Sequence, residues 1–134
     1  MAVYTLRVGS RFEAAHHLTS YRGAPEPVHG HSWRVEAVLE ADGLDAEGMA
    51  YDFVAVKEAL DALARELDHR DLNALPAFAG ASPTTERVAA WFHRELAARL
   101  PGAPLVAVTV WEGPDCAATY RPARPRLDSS AEHR

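Results

Sequence analysis

One stretch limits the architecture more than any other. In HSWRVEAVLEAD, residues 31–42, Trp33, Val35, Ala37 and Leu39 fall on one side, and Arg34, Glu36 and Glu40 on the other. Alternation with period two marks a strand with one face buried and one face wet. Such a strand needs a packed layer over its apolar face. VYTLRV, residues 3–8, alternates Tyr4, Leu6 and Val8 with Thr5 and Arg7 in the same way. Between the two, TSYRGAPEP carries Ser, Gly and two prolines and reads as a loop.

The covering layer is written next in the chain. Asp52 is placed to cap a helix whose apolar positions Phe53, Val56, Leu60, Leu63 and Leu67 form one stripe. DHRDLNALPAFAGASP, residues 68–83, is irregular and rich in breakers. A second helix is expected from Ser82 as N-cap and Pro83 at the first helical position, with Glu86 near the positive end of the dipole. Its stripe is Val88, Trp91, Phe92, Leu96 and Leu100, and PGAP stops it. LVAVTVWE, residues 105–112, is a further strand and AATYR a shorter one. Strands grouped around two consecutive helices predict an α+β fold with a largely antiparallel sheet. One domain is expected over residues 1–121, and a chain of 134 residues can bury about two thirds of its unfolded surface. PARPRLDSSAEHR, residues 122–134, has almost no apolar content and reads as a disordered tail.

Composition removes several classes of function. A formal net charge of −5 argues against a nucleic-acid module, which would show a basic face. The apolar run LVAVTVW is too short to span a bilayer. MAVYTLRVGSRFE has no apolar core of a signal peptide, so a cytoplasmic protein is expected. One cysteine, Cys116, excludes an intramolecular disulfide and a cysteine-rich zinc site. With no basic neighbour in sequence, it reads as a small packing residue.

Seven histidines are many for this length, and four are clustered as His16-His17 and His29/His31. In an extended segment residues two apart point the same way, so His29 and His31 can aim at one point. They share the parity of Trp33 and Val35, and His16 shares that of Phe12 and Ala14. Three imidazoles from neighbouring strands would make a zinc site with an open fourth position, the catalytic form. Inward histidines that only satisfy hydrogen bonds would give the same pattern. His17 points the other way and reads as structural; His93 and His133 read as solvent-facing. Glu112 continues the face of Val106, Val108 and Val110 at its strand end. It is either wet, or an anchor for a ligand offering two N–H groups side by side. Asp68 beside His69 could orient a general base, and Glu26 lies three residues before His29.

FEAAHHL, HGHSW, GMAYDF, LDHRDLN, SPTTERVA and VWEGPDCAATYR, in this order, resemble the 6-pyruvoyltetrahydropterin synthase / 6-carboxytetrahydropterin synthase family across residues 3–121. The resemblance implies a tunnelling fold: a four-stranded antiparallel sheet with two helices on one face, assembled as trimers or hexamers with active sites between subunits. It also implies Zn2+ on His16, His29 and His31, and a catalytic Asp68–His69 pair. Glu112 would hold the amino-pyrimidine edge of a pterin, with Thr84, Thr85 and Glu86 helping to bind the ring. The implied substrate is 7,8-dihydroneopterin triphosphate or a similar pterin. Pro25 stands where the usual members have a catalytic cysteine, and Glu26 follows it, resembling a variant branch with glutamate in that role. That branch is associated with 6-hydroxymethyl-7,8-dihydropterin, a folate precursor, whereas the carboxytetrahydropterin branch feeds queuosine.

Overall fold

The computed structural model describes residues 2–123, so the tail from residue 124, with His133, lies outside the described residues. The elements are β1 (Tyr4–His16), β2 (His29–Ala41), α1 (Phe53–Leu67), β3 (Arg70–Asp71), α2 (Thr85–Arg99), β4 (Leu105–Glu112) and β5 (Ala117–Tyr120). The sheet runs β3-β1-β2-β4-β5 and is antiparallel except where β3 joins β1. Both helices pack on one face, as the alternating strands require.

β1 and β2 pair along their whole length, from Tyr4 opposite Ala41 to His16 opposite His29. This long ribbon fixes register, because a one-residue slip would turn Phe12, Trp33 and Val35 out of the core. Phe12 stacks on Trp33 at 5.6 Å and meets Phe92 of α2 at 5.6 Å. The indole nitrogen of Trp33 donates to Ala14 O at 3.0 Å, so its polar atom is satisfied inside. Val56, Leu60, Leu63 and Leu67 of α1, and Val88, Phe92 and Leu96 of α2, are fully buried against this face. Each such aliphatic side chain contributes about 1.5–3 kcal/mol.

Several expectations change. The sheet has five strands rather than four, the fifth being the two-residue β3. It forms because Asp68 accepts from Glu13 N at 2.8 Å and His69 N donates to Glu13 O, which lays the following residues along the β1 edge. Phe53 is 55% exposed at the first turn of α1, ahead of where the helix meets the sheet. The N-cap of α2 is Thr84, accepting from Arg87 N at 3.2 Å, not Ser82. Ser82 instead takes the Thr19 amide at 2.8 Å. In β4, Val108 and Val110 reach the core but Val106 does not. An irregularity at Val38/Leu39 shifts the register so that Leu105 packs there instead. Cys116 is exposed, in the turn between β4 and β5, where its carbonyl accepts from Glu112 N at 3.1 Å. His93 is half-buried, edge-on to Tyr120 of β5 at 5.2 Å, and burial pushes its imidazole pKa down.

Candidate active site

The ribbon that builds the core also builds the site. β1 ends at His16 directly opposite the first residue of β2, His29, and His31 follows two residues on with its side chain on the same face. The three rings meet edge to face, with centroids 4.8 Å (His16–His29), 5.2 Å (His16–His31) and 4.8 Å (His29–His31) apart. Trp33 forms the floor, 4.9 Å from His16.

Two backbone carbonyls orient the rings. His16 Nδ1 lies 2.8 Å from Pro83 O, and His29 Nδ1 lies 2.9 Å from Pro27 O. A ring nitrogen facing a carbonyl carries the proton, so each Nε2 presents a lone pair. Nε2 of His16 and of His31 are buried without a hydrogen-bond partner. Leaving such an atom unmatched costs about 1–3 kcal/mol, and a cation supplies the missing partner. Ligand atoms from His16, His29, His31 and Glu112 all lie within 4.8 Å of one another. Burial also pushes the His31 pKa down against the pull of Glu112, favouring the neutral, ligating form. Three imidazoles are a donor set that fits Zn2+.

Glu112 falls between its two expected roles. It is partly buried, and Oε1 accepts from the buried Thr85 hydroxyl at 2.5 Å. Oε2 approaches His31 Nε2 at 3.0 Å and His16 Nε2 at 3.6 Å, without the alignment of a hydrogen bond. Glu26 faces the same cavity, of about 340 Å³, together with Glu112, Thr84, Thr85, Glu86 and Tyr21. Its backbone N donates to Leu18 O at 3.1 Å, while Leu18 N donates to Glu26 Oε1 at 2.8 Å. This closed latch leaves Glu26 Oε1 3.9 Å from His29 Nε2.

Asp68 and His69 are together but elsewhere. His69 Nδ1 is 3.0 Å from Asp68 Oδ2, and the His69 ring is 79% exposed. The Glu13 amide, then the His69 ring, hold the Asp68 carboxyl below its ordinary pKa. His69 lines a separate hollow of about 520 Å³ with Glu13, Ser32 and Arg70, which meets the histidine cluster only through His31. Within one chain the pair does not reach Glu26's cavity. His17 is held through its backbone, which exchanges two hydrogen bonds with the Asn73 side chain, at 2.9 and 3.0 Å.

The sequence matches the 6-pyruvoyl tetrahydropterin synthase family over residues 5–123. The chain belongs to this family. It is 36% identical over 103 residues to a dihydroneopterin monophosphate aldolase of Pyrococcus furiosus, covering 76% of this chain and 83% of that one. It is 38% identical over 122 residues to a 6-carboxy-5,6,7,8-tetrahydropterin synthase of Synechocystis sp., covering 87% and 90%. The 6-pyruvoyl tetrahydropterin synthase of Caenorhabditis elegans superimposes with a TM-score of 0.80 at 25% identity, covering 92% of this chain and 98% of the other. The two-helix, mainly antiparallel sheet is thus the fold of the family.

Three groups that shape the site escaped the sequence reading: the carbonyls of Pro83 and Pro27, and the Thr85 hydroxyl as the partner of Glu112. Backbone carbonyls carry no sequence signal. The Thr85–Glu112 contact could be found only by knowing that the start of α2 meets the end of β4. Among the described residues no helix is long and apolar enough to cross a membrane.

Proposed function

We propose that this chain is a zinc-dependent lyase that shortens the side chain of a phosphorylated 7,8-dihydroneopterin, giving 6-hydroxymethyl-7,8-dihydropterin. The observation that carries this reading is the Glu26 carboxylate, latched beside His29 on the rim of the histidine cavity. His16, His29 and His31 would hold Zn2+, which when bound supplies Lewis acidity toward the side-chain hydroxyls. Glu112 and Thr85, with Thr84 and Glu86, hold the ring and limit its freedom before reaction. Glu26 takes the proton from the hydroxyl on the second side-chain carbon. The bond between the first and second carbons then breaks, and its electron pair passes into the ring C=N. The departing aldehyde carries the phosphate, and the Asp68–His69 pair of a neighbouring copy returns a proton to the first carbon. That step requires an oligomer, and a trimer or hexamer with sites between subunits is part of the proposal.

The name of the Pyrococcus furiosus relative supports both the phosphorylated substrate and carbon–carbon cleavage. The Synechocystis relative supports a second reading, a 6-carboxytetrahydropterin synthase. Pro25, standing where the usual members have cysteine, and Glu26 next to it favour the first. The test is to incubate zinc-loaded protein with dihydroneopterin monophosphate and triphosphate and to identify products by mass. The hydroxymethyl product is expected, with Glu26→Ala slower by about 10²–10⁴-fold. Glu26→Gln separates the latch from proton transfer, since its amide oxygen can still accept from Leu18. No conversion, or Glu26→Ala equal to wild type, removes the catalytic role; a carboxy product selects the second reading. Tight pterin binding without turnover would make the chain a non-catalytic binding member.

A further inference from the structure

The segment at the mouth of the histidine cavity contains a residue that its own turn disfavours. Tyr21 N donates to Ala24 O at 2.6 Å and Ala24 N to Tyr21 O at 3.1 Å, closing a tight turn. Its central residues, Arg22 at φ 51° and Gly23 at φ 84°, are both left-handed. Turns of this kind favour Asn, Asp or Gly at the first central position and Gly at the second. Gly23 fits that preference and Arg22 does not. A side chain kept in a conformation that costs free energy points to a use for it.

The segment is fastened on the helix side of the sheet. Thr19 meets Ser82, just ahead of α2, through its amide at 2.8 Å and its hydroxyl at 2.8 Å. Tyr21 lines the cavity, and the Arg22 guanidinium lies over the Tyr21 ring, 5.3 Å from its centroid. Stacking uses the face of a guanidinium and leaves its in-plane N–H donors free. Among the described residues Arg22 has no carboxylate partner, whereas Arg7 pairs with Glu36 at 2.9 Å and Arg99 with Glu66 at 2.8 Å. Among the described residues the cavity is lined by the carboxylates of Glu26, Glu86 and Glu112 and by no lysine or arginine. A phosphate ester reaching it meets negative charge within and needs a cation at the mouth. Arg87, next to Glu86, gives an N–H to Ser82 O at 3.1 Å and so braces the point where Thr19 is held. Arg22 is the one basic residue between Leu18 and Glu26.

We propose that Arg22 is the specificity residue for a phosphate ester: its guanidinium takes the phosphate at the end of the substrate side chain. This rests on the pterin lyase reading above and deepens it, since it makes a phosphorylated side chain the preferred substrate class. The order of groups fits that assignment. The ring is held at Glu112 and Thr85, the side-chain hydroxyls lie toward the histidines, and the phosphate, farthest from the ring, reaches the lip. A guanidinium fork matches two oxygens of one phosphate.

The experiment compares dihydroneopterin monophosphate with unphosphorylated dihydroneopterin on the zinc-loaded full chain, by calorimetric binding and by kcat and KM. Arg22→Gln is expected to weaken monophosphate binding about 10–100-fold and to raise its KM comparably, with kcat little changed. Binding and turnover of dihydroneopterin stay as in wild type. Arg22→Asn, whose side chain suits a left-handed turn position, gives the same loss with the turn kept. Arg22→Lys gives a smaller one, because an ammonium keeps the charge without the fork. Added salt narrows the preference for the monophosphate in wild type more than in Arg22→Gln. The proposal is overturned if Arg22→Gln and Arg22→Asn bind the monophosphate as wild type does. It is equally overturned if they lose both ligands alike, which makes Arg22 a turn residue only, or if the selective loss appears in Arg87→Gln instead. Failure of the lyase reading looks different. Selective monophosphate binding that Arg22→Gln loses, without turnover by wild type, removes the lyase and keeps the assignment of Arg22. Cleavage of both ligands at rates that Arg22→Gln leaves unchanged keeps the lyase and removes that assignment. Binding of neither ligand to wild type overturns both.

Discussion

Two histidine-bearing corners lie at the same end of β1, and they are built in opposite ways. The cluster of His16, His29 and His31 is tightly packed: ring edges meet ring faces, the Nδ1 atoms of His16 and His29 are spent on carbonyls, and the ligand atoms converge. The Asp68–His69 corner is wet and open. His69 is held through its backbone, at φ 57°, a left-handed conformation that costs a residue with a side chain about 1–3 kcal/mol. Its exposed ring lines an open hollow with Glu13, Ser32 and Arg70. The difference teaches that one corner is complete in a single chain, whereas the other presents a side chain to whatever comes to face it.

The largest effect that separates the corners is metal content. His29→Ala is expected to abolish zinc in the desalted protein, and His69→Ala to leave about one equivalent per chain. Elemental analysis reads both, and zinc loss in His69→Ala would break the distinction. Next is turnover: His69→Ala should lower kcat by about 10²–10⁴-fold with zinc retained, and a dilution series should show activity falling as the assembly dissociates. Smaller is Thr85→Val, which removes the hydroxyl from Glu112 and should cost about 1–3 kcal/mol in urea unfolding. A neutral result would mean that Glu112 is solvated rather than held.

The smallest effect comes from a half-exposed carboxylate on α1. Burial pushes the Asp61 pKa up, but the Ser10 hydroxyl and Lys57 outweigh it and leave the carboxyl below its ordinary value. A depressed folded pKa stabilises above the unfolded carboxylate pKa, and the gain disappears as pH falls through the folded one. Asp61→Asn should flatten that acid limb of the urea midpoint by less than about 1 kcal/mol. An effect as large as that of Thr85→Val would mean that Ser10 and Lys57 hold Asp61 as firmly as Thr85 holds Glu112.

Much of this was legible in the residue pattern, for a physical reason. Period-two alternation fixes which face a side chain takes, so the convergence of His16, His29 and His31 followed once both segments were extended. Helix stripes followed from spacing, except at Phe53, where spacing says nothing about where a helix meets its sheet. Val106 was misread because one irregularity reverses parity beyond it. β3 was invisible, since two residues carry no period and its pairing depends on Asp68 finding the Glu13 amide. The separation of His69 from Glu26 could not be read either: chain order gives no distance between loops.

The latch between Leu18 and Glu26 has an engineering consequence. Residues 19–25 bulge outside a ring already closed at its neck, and close again on themselves at Tyr21–Ala24, with Arg22 and Gly23 both at positive φ. Because loop-closure entropy grows only slowly with length, longer or exchanged segments can be grafted there at a cost of well under about 1 kcal/mol per doubling. Tyr21 lines the cavity from within that segment. The protein thus carries a cassette: a replaceable lip of residues 20–25 over the cavity, hung from the Leu18–Glu26 pair and from the hydrogen bonds of Thr19 to Ser82.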